Sequence, residues 1–259
     1  MLTRIVSALV LLPVLFFVVL KGGIVTKIAL FAVVSISIWE FAGAFRKNGI
    51  KPTRTLLYAL SAVLILPDWA NPWALLPPLL FLLVFVESVV LIFDRRSIED
   101  ISVSVLTFVY ITVALTAAIP IQKASKDFVW YIFLFAFITD TFAYFSGRAF
   151  GRTKLIPSVS PKKTVEGAVG GVLGCALCSG IYAYFTHPEY LRAVLIASVF
   201  GSVVSQFGDL FASVFKRKLG IKDYGNLIPG HGGMLDRIDS IIFTTPYTYL
   251  FMYIAGILH

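Results

Sequence analysis

The sequence predicts an all-α, polytopic integral membrane protein with about nine transmembrane helices and a cytoplasmic amino terminus. Three observations carry that expectation. Apolar residues fill 58% of the 259 positions and charged residues only 14%, against roughly 25% charged in soluble domains. Apolar runs recur at the ~20-residue length that spans a bilayer. Basic residues gather on alternate connections between these runs, as cytoplasmic loops do. The net charge of +8 suits anionic lipid headgroups and makes nucleic acid a poor candidate partner.

The first run, Ile5–Leu20 behind Arg4, resembles the front of a signal peptide. Its end, Val19-Leu20-Lys21-Gly22-Gly23, lacks a small-x-small cleavage pattern, so it reads as a retained helix. Further runs are Ile24–Phe45, Trp73–Phe93, Ile101–Ile121, Phe128–Ser146, Val165–Phe185, Leu191–Phe211 and Ile238–Leu258. Thr55–Leu66 is short, and the charges decide for it. With it counted as a crossing, 17 of the 22 Lys and Arg residues fall on one side, Arg95 and Arg96 among them; without it they scatter. The stretch Asp68–Pro78, with two Trp and three Pro, reads as an interfacial turn. Cys175 and Cys178, at i,i+3 in an apolar run, read as small packing residues. Gly167, Gly170, Gly171 and Gly174 read as a close-packing stripe rather than a phosphate loop, because GxxxxGK[ST] is absent. One membrane domain (1–259) is expected, with an amino-terminal part (1–127) of generic helices. A catalytic part (128–259) carries two basic cytoplasmic loops, 147–164 and 212–237.

Ionisable groups inside a bilayer are costly and mark sites by default. Glu40 and Glu87 lack polar sequence neighbours and read as structural, for instance as hydrogen-bonding groups between helices. Asp140 and Asp209 each lead into a basic loop. The densest constellation is Asp209–Asp239. Asp236 and Asp239 share a helix face at i,i+3, and Asp209 could reach the same place from the preceding run. Oxygen ligands of this kind suit Mg²⁺ beside substrate phosphates. Lys216, Arg217, Lys218 and Lys222 suit a polyphosphate, and Gly225, Gly230, Gly232 and Gly233 permit close backbone approach. His231 is either a phosphate donor or a loop-ordering residue. In the second constellation, Ser160-Pro161-Lys162-Lys163-Thr164 precedes an apolar run. Ser160 or Thr164 is a helix cap, and the helix start is a natural phosphate site. Glu166 complements the helix dipole. A transporter would also explain intramembrane acids, but it calls for broken helices around a midplane site, whereas these motifs sit in loops.

The stretch Ser213–Asp239, SVFKRKLGIKDYGNLIPGHGGMLDRID, resembles the signature of the phosphatidate cytidylyltransferase (CDP-diacylglycerol synthase) family. Ser160-Pro161-Lys162-Lys163-Thr164 with Glu166-Gly167, and Asp140-x-x-Ala-Tyr-x-x-Gly-Arg-x-x-Gly, are similar to further motifs of that family. Phe142 and Val165 depart from it, standing where a small residue and Trp are expected. The resemblance implies that the phosphate of phosphatidic acid attacks the α-phosphorus of CTP, giving CDP-diacylglycerol and pyrophosphate. It implies Asp209, Asp236 and Asp239 as ligands of Mg²⁺, with room for a second metal ion. Lys216, Arg217, Lys222 and Asp223 join them as catalytic groups. The substrate-binding set is Asp140, Ser160, Pro161, Lys162, Lys163, Thr164, Glu166, Ser213, His231, Gly232, Gly233 and Arg237. It further implies a homodimer in the cell (inner) membrane with the site facing the cytoplasm. An isoprenoid glycerol phosphate is the alternative lipid substrate.

Overall fold

The computed structural model describes residues 2–94, 96–227 and 232–258, with side chains from residue 12 onward. Arg95, Gly230 and His231 lie outside the described residues. Each apolar run forms a helix: α1 (Leu2–Lys21), α2 (Ile24–Arg46), α3 (Arg54–Ile65) and α4 (Leu76–Asp94). There follow α5 (Ile98–Ala124), α6 (Lys126–Phe150), α7 (Val165–Thr186), α8 (Leu191–Lys218) and α9 (Leu235–Ile254). Among the described residues, six helices are long and apolar enough to cross a membrane: α2, α4 with the turn before it, α5, α6, α7 and α8 with the turn before it. At about 1.5 Å per residue, the 12 residues of α3 reach about 18 Å, short of the ~30 Å hydrocarbon core. The chain is thus a predominantly α-helical polytopic membrane protein.

It divides into two compact units, each built from two pieces of chain: residues 1–119 with 219–237, and residues 120–218 with 238–259. The connection after α8 packs with the amino-terminal helices.

In the first unit, polar bonds tie helix ends together. The buried Lys27 amine, at the start of α2, donates to Leu66 O, Pro67 O and Asp68 Oδ1 (2.6 Å) just beyond α3. These two helices therefore run antiparallel. At the other end, Asp100 Oδ1 accepts from Lys51 N (2.5 Å), and Arg96 Nη1 donates to Lys51 O and Thr53 Oγ1. Ser97 and Asp100 form a reciprocal capping box that starts α5. Thr53 Oγ1 also donates to Glu87 Oε2 (3.2 Å).

In the second unit, Tyr182 OH of α7 donates to Asp127 O of α6 (3.1 Å) at one end. At the other, Gly147 of α6 approaches Gly167 of α7 so closely that a Cβ on Gly167 would stand 2.8 Å from Ala143 O. Gly170 and Gly171 face Ser146 and Thr139 in the same seam, which is the packing role read from sequence. Phe142, one of the two departures from the family motifs, fits because Gly174 leaves space for its ring. α8 and α9 run antiparallel as well: Tyr247 OH donates to Ala197 O (2.8 Å), while Gly208 packs on Asp239 O and Ser240. The polar ends of α6, α7, α8 and α9 therefore meet at one end of this unit. Cys175 is buried and free, as a packing residue should be.

Three local features correct the sequence expectation. The loop after α6 holds a short antiparallel hairpin, β1 (Lys154–Ile156) and β2 (Ser160–Thr164), within an otherwise helical chain. Ser160 is consequently a strand residue, and Thr164 alone caps α7, its Oγ1 accepting from Gly167 N (3.1 Å). Lys216, Arg217 and Lys218 occupy the last turn of α8 rather than a loop, where cations complement the helix dipole.

Candidate active site

The end of the second unit where the helices meet holds a cleft of about 490 Å³. Asp140, Tyr144, Gly147 and Arg148 of α6 form one side. Leu155, Lys162, Lys163 and Thr164 of the hairpin form another, and Gly167, Ala168, Gln206 and Asp209 of α7 and α8 close it. The second motif and the first residue of the densest constellation are thereby brought to one place.

Local structure explains each position. A π-helical stretch, Leu134–Ile138, interrupts α6 just before Asp140; such stretches are frequent at functional sites because they shift the register of the residues after them. The hairpin is held at three points. Lys163 Nζ is paired with Asp209 Oδ2, Arg217 Nε donates to Val159 O (3.4 Å), and both Glu166 oxygens accept from the Thr153 backbone N–H, with Oε2 also taking Arg152 N. Glu166 thus braces the hairpin base. Gln206 Nε2 donates to Ala168 O (3.2 Å), fixing α8 against α7.

Asp239, 9% exposed, lies within electrostatic reach of Asp209, Lys216 and Asp140, and its Oδ1 accepts from Ser240 N. Ser213 Oγ stands 3.5 Å from Asp209 Oδ1. Asp209 and Asp239 thus lie in the same part of the second unit, where Gly208 packs on Asp239 O and Lys163 pairs with Asp209. Among the described residues, no group of three or more His, Cys, Asp or Glu side chains makes a ready metal centre. A carboxylate pair does fit Mg²⁺, which is commonly held by one or two carboxylates and completed by substrate phosphate and water.

Of the remaining signature residues, the described ones up to Arg237 belong to the first unit. Lys222 and Asp223 are exposed in the connection, and Arg237 is exposed on the first turn of α9. Asp236 is buried, and its Oδ2 accepts from Tyr224 N (2.8 Å) and Gly233 N (3.1 Å). This carboxylate shapes the turn that precedes it. Gly232 has φ +86, and a side chain there would also crowd Asp236 Oδ2.

Sequence reasoning did not single out Tyr144, Arg148 or Gln206 as site residues. Arg148, whose Nη1 lies 3.3 Å from Tyr144 OH, stands within the motif that begins at Asp140, and its position one turn beyond Tyr144 was the available signal.

The cytidylyltransferase family model matches residues 2–255. The chain belongs to that family. It is 34% identical to a phosphatidate cytidylyltransferase of Staphylococcus aureus (strain COL) over 257 residues, covering 95% of each chain. It is 33% identical over 253 residues to proteins of the same name from Staphylococcus epidermidis and Staphylococcus saprophyticus, again covering 95% of each. The match runs through both the motif-poor amino-terminal part and the signature, and makes the chain a nucleotidyltransferase. Membership gives the reaction class, transfer of a nucleotidyl group.

Proposed function

We propose that this protein transfers the cytidylyl group of CTP to phosphatidic acid, releasing pyrophosphate and forming CDP-diacylglycerol at the cytoplasmic face of the cell membrane. The observation that carries the reading is the cleft itself, where Lys162, Lys163, Thr164 and Arg148 meet Asp140 and Asp209 at one end of a helical bundle. Cations and a helix start suit phosphates, and carboxylates suit a hard metal ion.

An oxygen of the lipid phosphate forms the new bond to the α-phosphorus of CTP, and the bond from that phosphorus to the bridging β-oxygen breaks. The nucleophile comes with the lipid, so the chain supplies position and charge rather than a Ser, Cys or His nucleophile. Lys162, Lys163 and the start of α7 hold the nucleotide phosphates. Lys216 and Arg217 offset the charge that gathers on departing pyrophosphate. Arg148, at the rim, takes the lipid phosphate. Asp209, Asp236 and Asp239 are the proposed Mg²⁺ ligands; the ion would neutralise phosphate charge. Lys163 leaves Asp209 for phosphate as substrate enters. Nine crossings, a cytoplasmic amino terminus and a homodimer complete the proposal.

The test is CDP-lipid formation by the purified protein in detergent micelles, with phosphatidic acid or an isoprenoid glycerol phosphate, with Mg²⁺ or EDTA. Label from [α-³²P]CTP appearing in lipid only with phosphatidic acid and Mg²⁺ is the expected result. Product with the isoprenoid lipid alone would overturn the substrate, and full activity in EDTA would overturn the metal.

A further inference from the structure

Glu40 lies on α2, in the part of the chain that carries no motif, yet it is only 2% exposed. Both oxygens are used. Oε1 accepts from Met234 N (2.9 Å) and Oε2 from Leu235 N (2.8 Å). Met234 precedes α9 and Leu235 is its first residue, so these are amides that a helix start leaves without intrahelical partners. An acid from another helix thus caps α9, favoured by the dipole at its amino-terminal end.

The surroundings are shaped to this carboxylate. A Cβ on Gly225 would stand 2.5 Å from Oε1, and one on Gly233 would stand 2.6 Å from both oxygens. Gly233 N in turn donates to Asp236 Oδ2. The turn is therefore gripped by Glu40 on one side and Asp236 on the other. Phe41, the next residue of α2, packs against the Tyr224 ring at a tilt, with centroids 5.9 Å apart. A carboxylate within an apolar helix is costly, and an apolar residue could fill the same volume. What the carboxylate adds is a pair of acceptors aimed at the helix start that bears Asp236 and, one turn on, Asp239.

We propose that Glu40 is a positioning residue for the reaction: it fixes the first turn of α9 and so the direction in which Asp236 and Asp239 leave it. This rests on the reading of those aspartates as working groups of cytidylyl transfer. Glu40→Gln keeps the shape but turns an NH₂ towards one of the two amides. The purified variant should remain monodisperse with a near-native melting temperature. Its kcat should fall at least about 10-fold, with KM for CTP changed less than about threefold and a higher Mg²⁺ concentration needed for half-maximal rate. Hydrogen exchange at residues 234–236 should quicken. Gly225→Ala, which crowds the same carboxylate from the other side, should reproduce both effects.

Native kcat and native exchange in Glu40→Gln would overturn the proposal. If Glu40→Gln does not fold, native kcat in Gly225→Ala overturns it instead. An inactive wild type would defeat the cytidylyltransferase reading and with it the role in the reaction, whereas an active wild type with native kcat in both variants would defeat the role of Glu40 alone.

Discussion

Charge is used differently in the two units. In the first, Glu40, Lys27 and Asp100 are 2%, 3% and 5% exposed, and each is bonded to backbone groups at a helix end. In the second, Lys163 and Asp209 are paired with each other at the wall of an open cleft, with about a quarter of each side chain exposed. Backbone partners cannot be exchanged for a ligand without undoing the helix ends they hold. A side-chain ion pair at a cleft wall can be exchanged, because incoming phosphate or metal replaces each partner in kind. Intramembrane charge alone therefore does not mark a reacting group.

Four substitutions sharpen that contrast. The largest effect is expected for Lys163→Ala, which should lower kcat/KM about 100-fold or more, in line with loss of a charge-stabilising donor, with little change in melting temperature. Arg148→Ala should raise KM for phosphatidic acid about 10-fold and leave KM for CTP nearly unchanged, as read by initial rates in mixed micelles. Lys27→Met should act in the opposite sense. It should destabilise by about 1–3 kcal/mol, because it removes the donor to the Leu66 and Pro67 carbonyls, as read by thermal unfolding in detergent, while the rate per folded molecule stays native. Asp100→Ala, which removes half of the capping box, should cost about 1 kcal/mol with no kinetic change. A kinetic defect in Lys27→Met larger than that of Arg148→Ala would break the comparison.

Much of this was legible in the sequence. Apolar runs located each helix, including short α3, whose antiparallel course to α2 appears in the Lys27 bonds to Leu66, Pro67 and Asp68. The glycines of α7 were read correctly because small residues at three- and four-residue spacing have a direct packing meaning. The hairpin was missed because Ser160–Thr164 carries no alternation of apolar and polar residues, the usual mark of a strand. The π-helical stretch before Asp140 has no sequence mark at all. Asp236 could be read as an acid near a helix start, but not as the acceptor of Tyr224 and Gly233 amides, which depends on how the turn closes. Glu40 was recognisable as structural; that its partners lie 194 residues away comes only from tertiary packing.

The most direct test of the central claim, that the cleft beside α6, α7 and the hairpin is where CTP binds, is calorimetric titration of CTP into the detergent-solubilised protein with Mg²⁺ present and lipid omitted. Wild type, Lys163→Ala and Lys27→Met are compared. The account predicts that Lys163→Ala weakens binding at least about 10-fold, the scale of one charge-assisted contact to phosphate, while Lys27→Met binds as wild type does. Native affinity in Lys163→Ala would contradict it and place the nucleotide elsewhere.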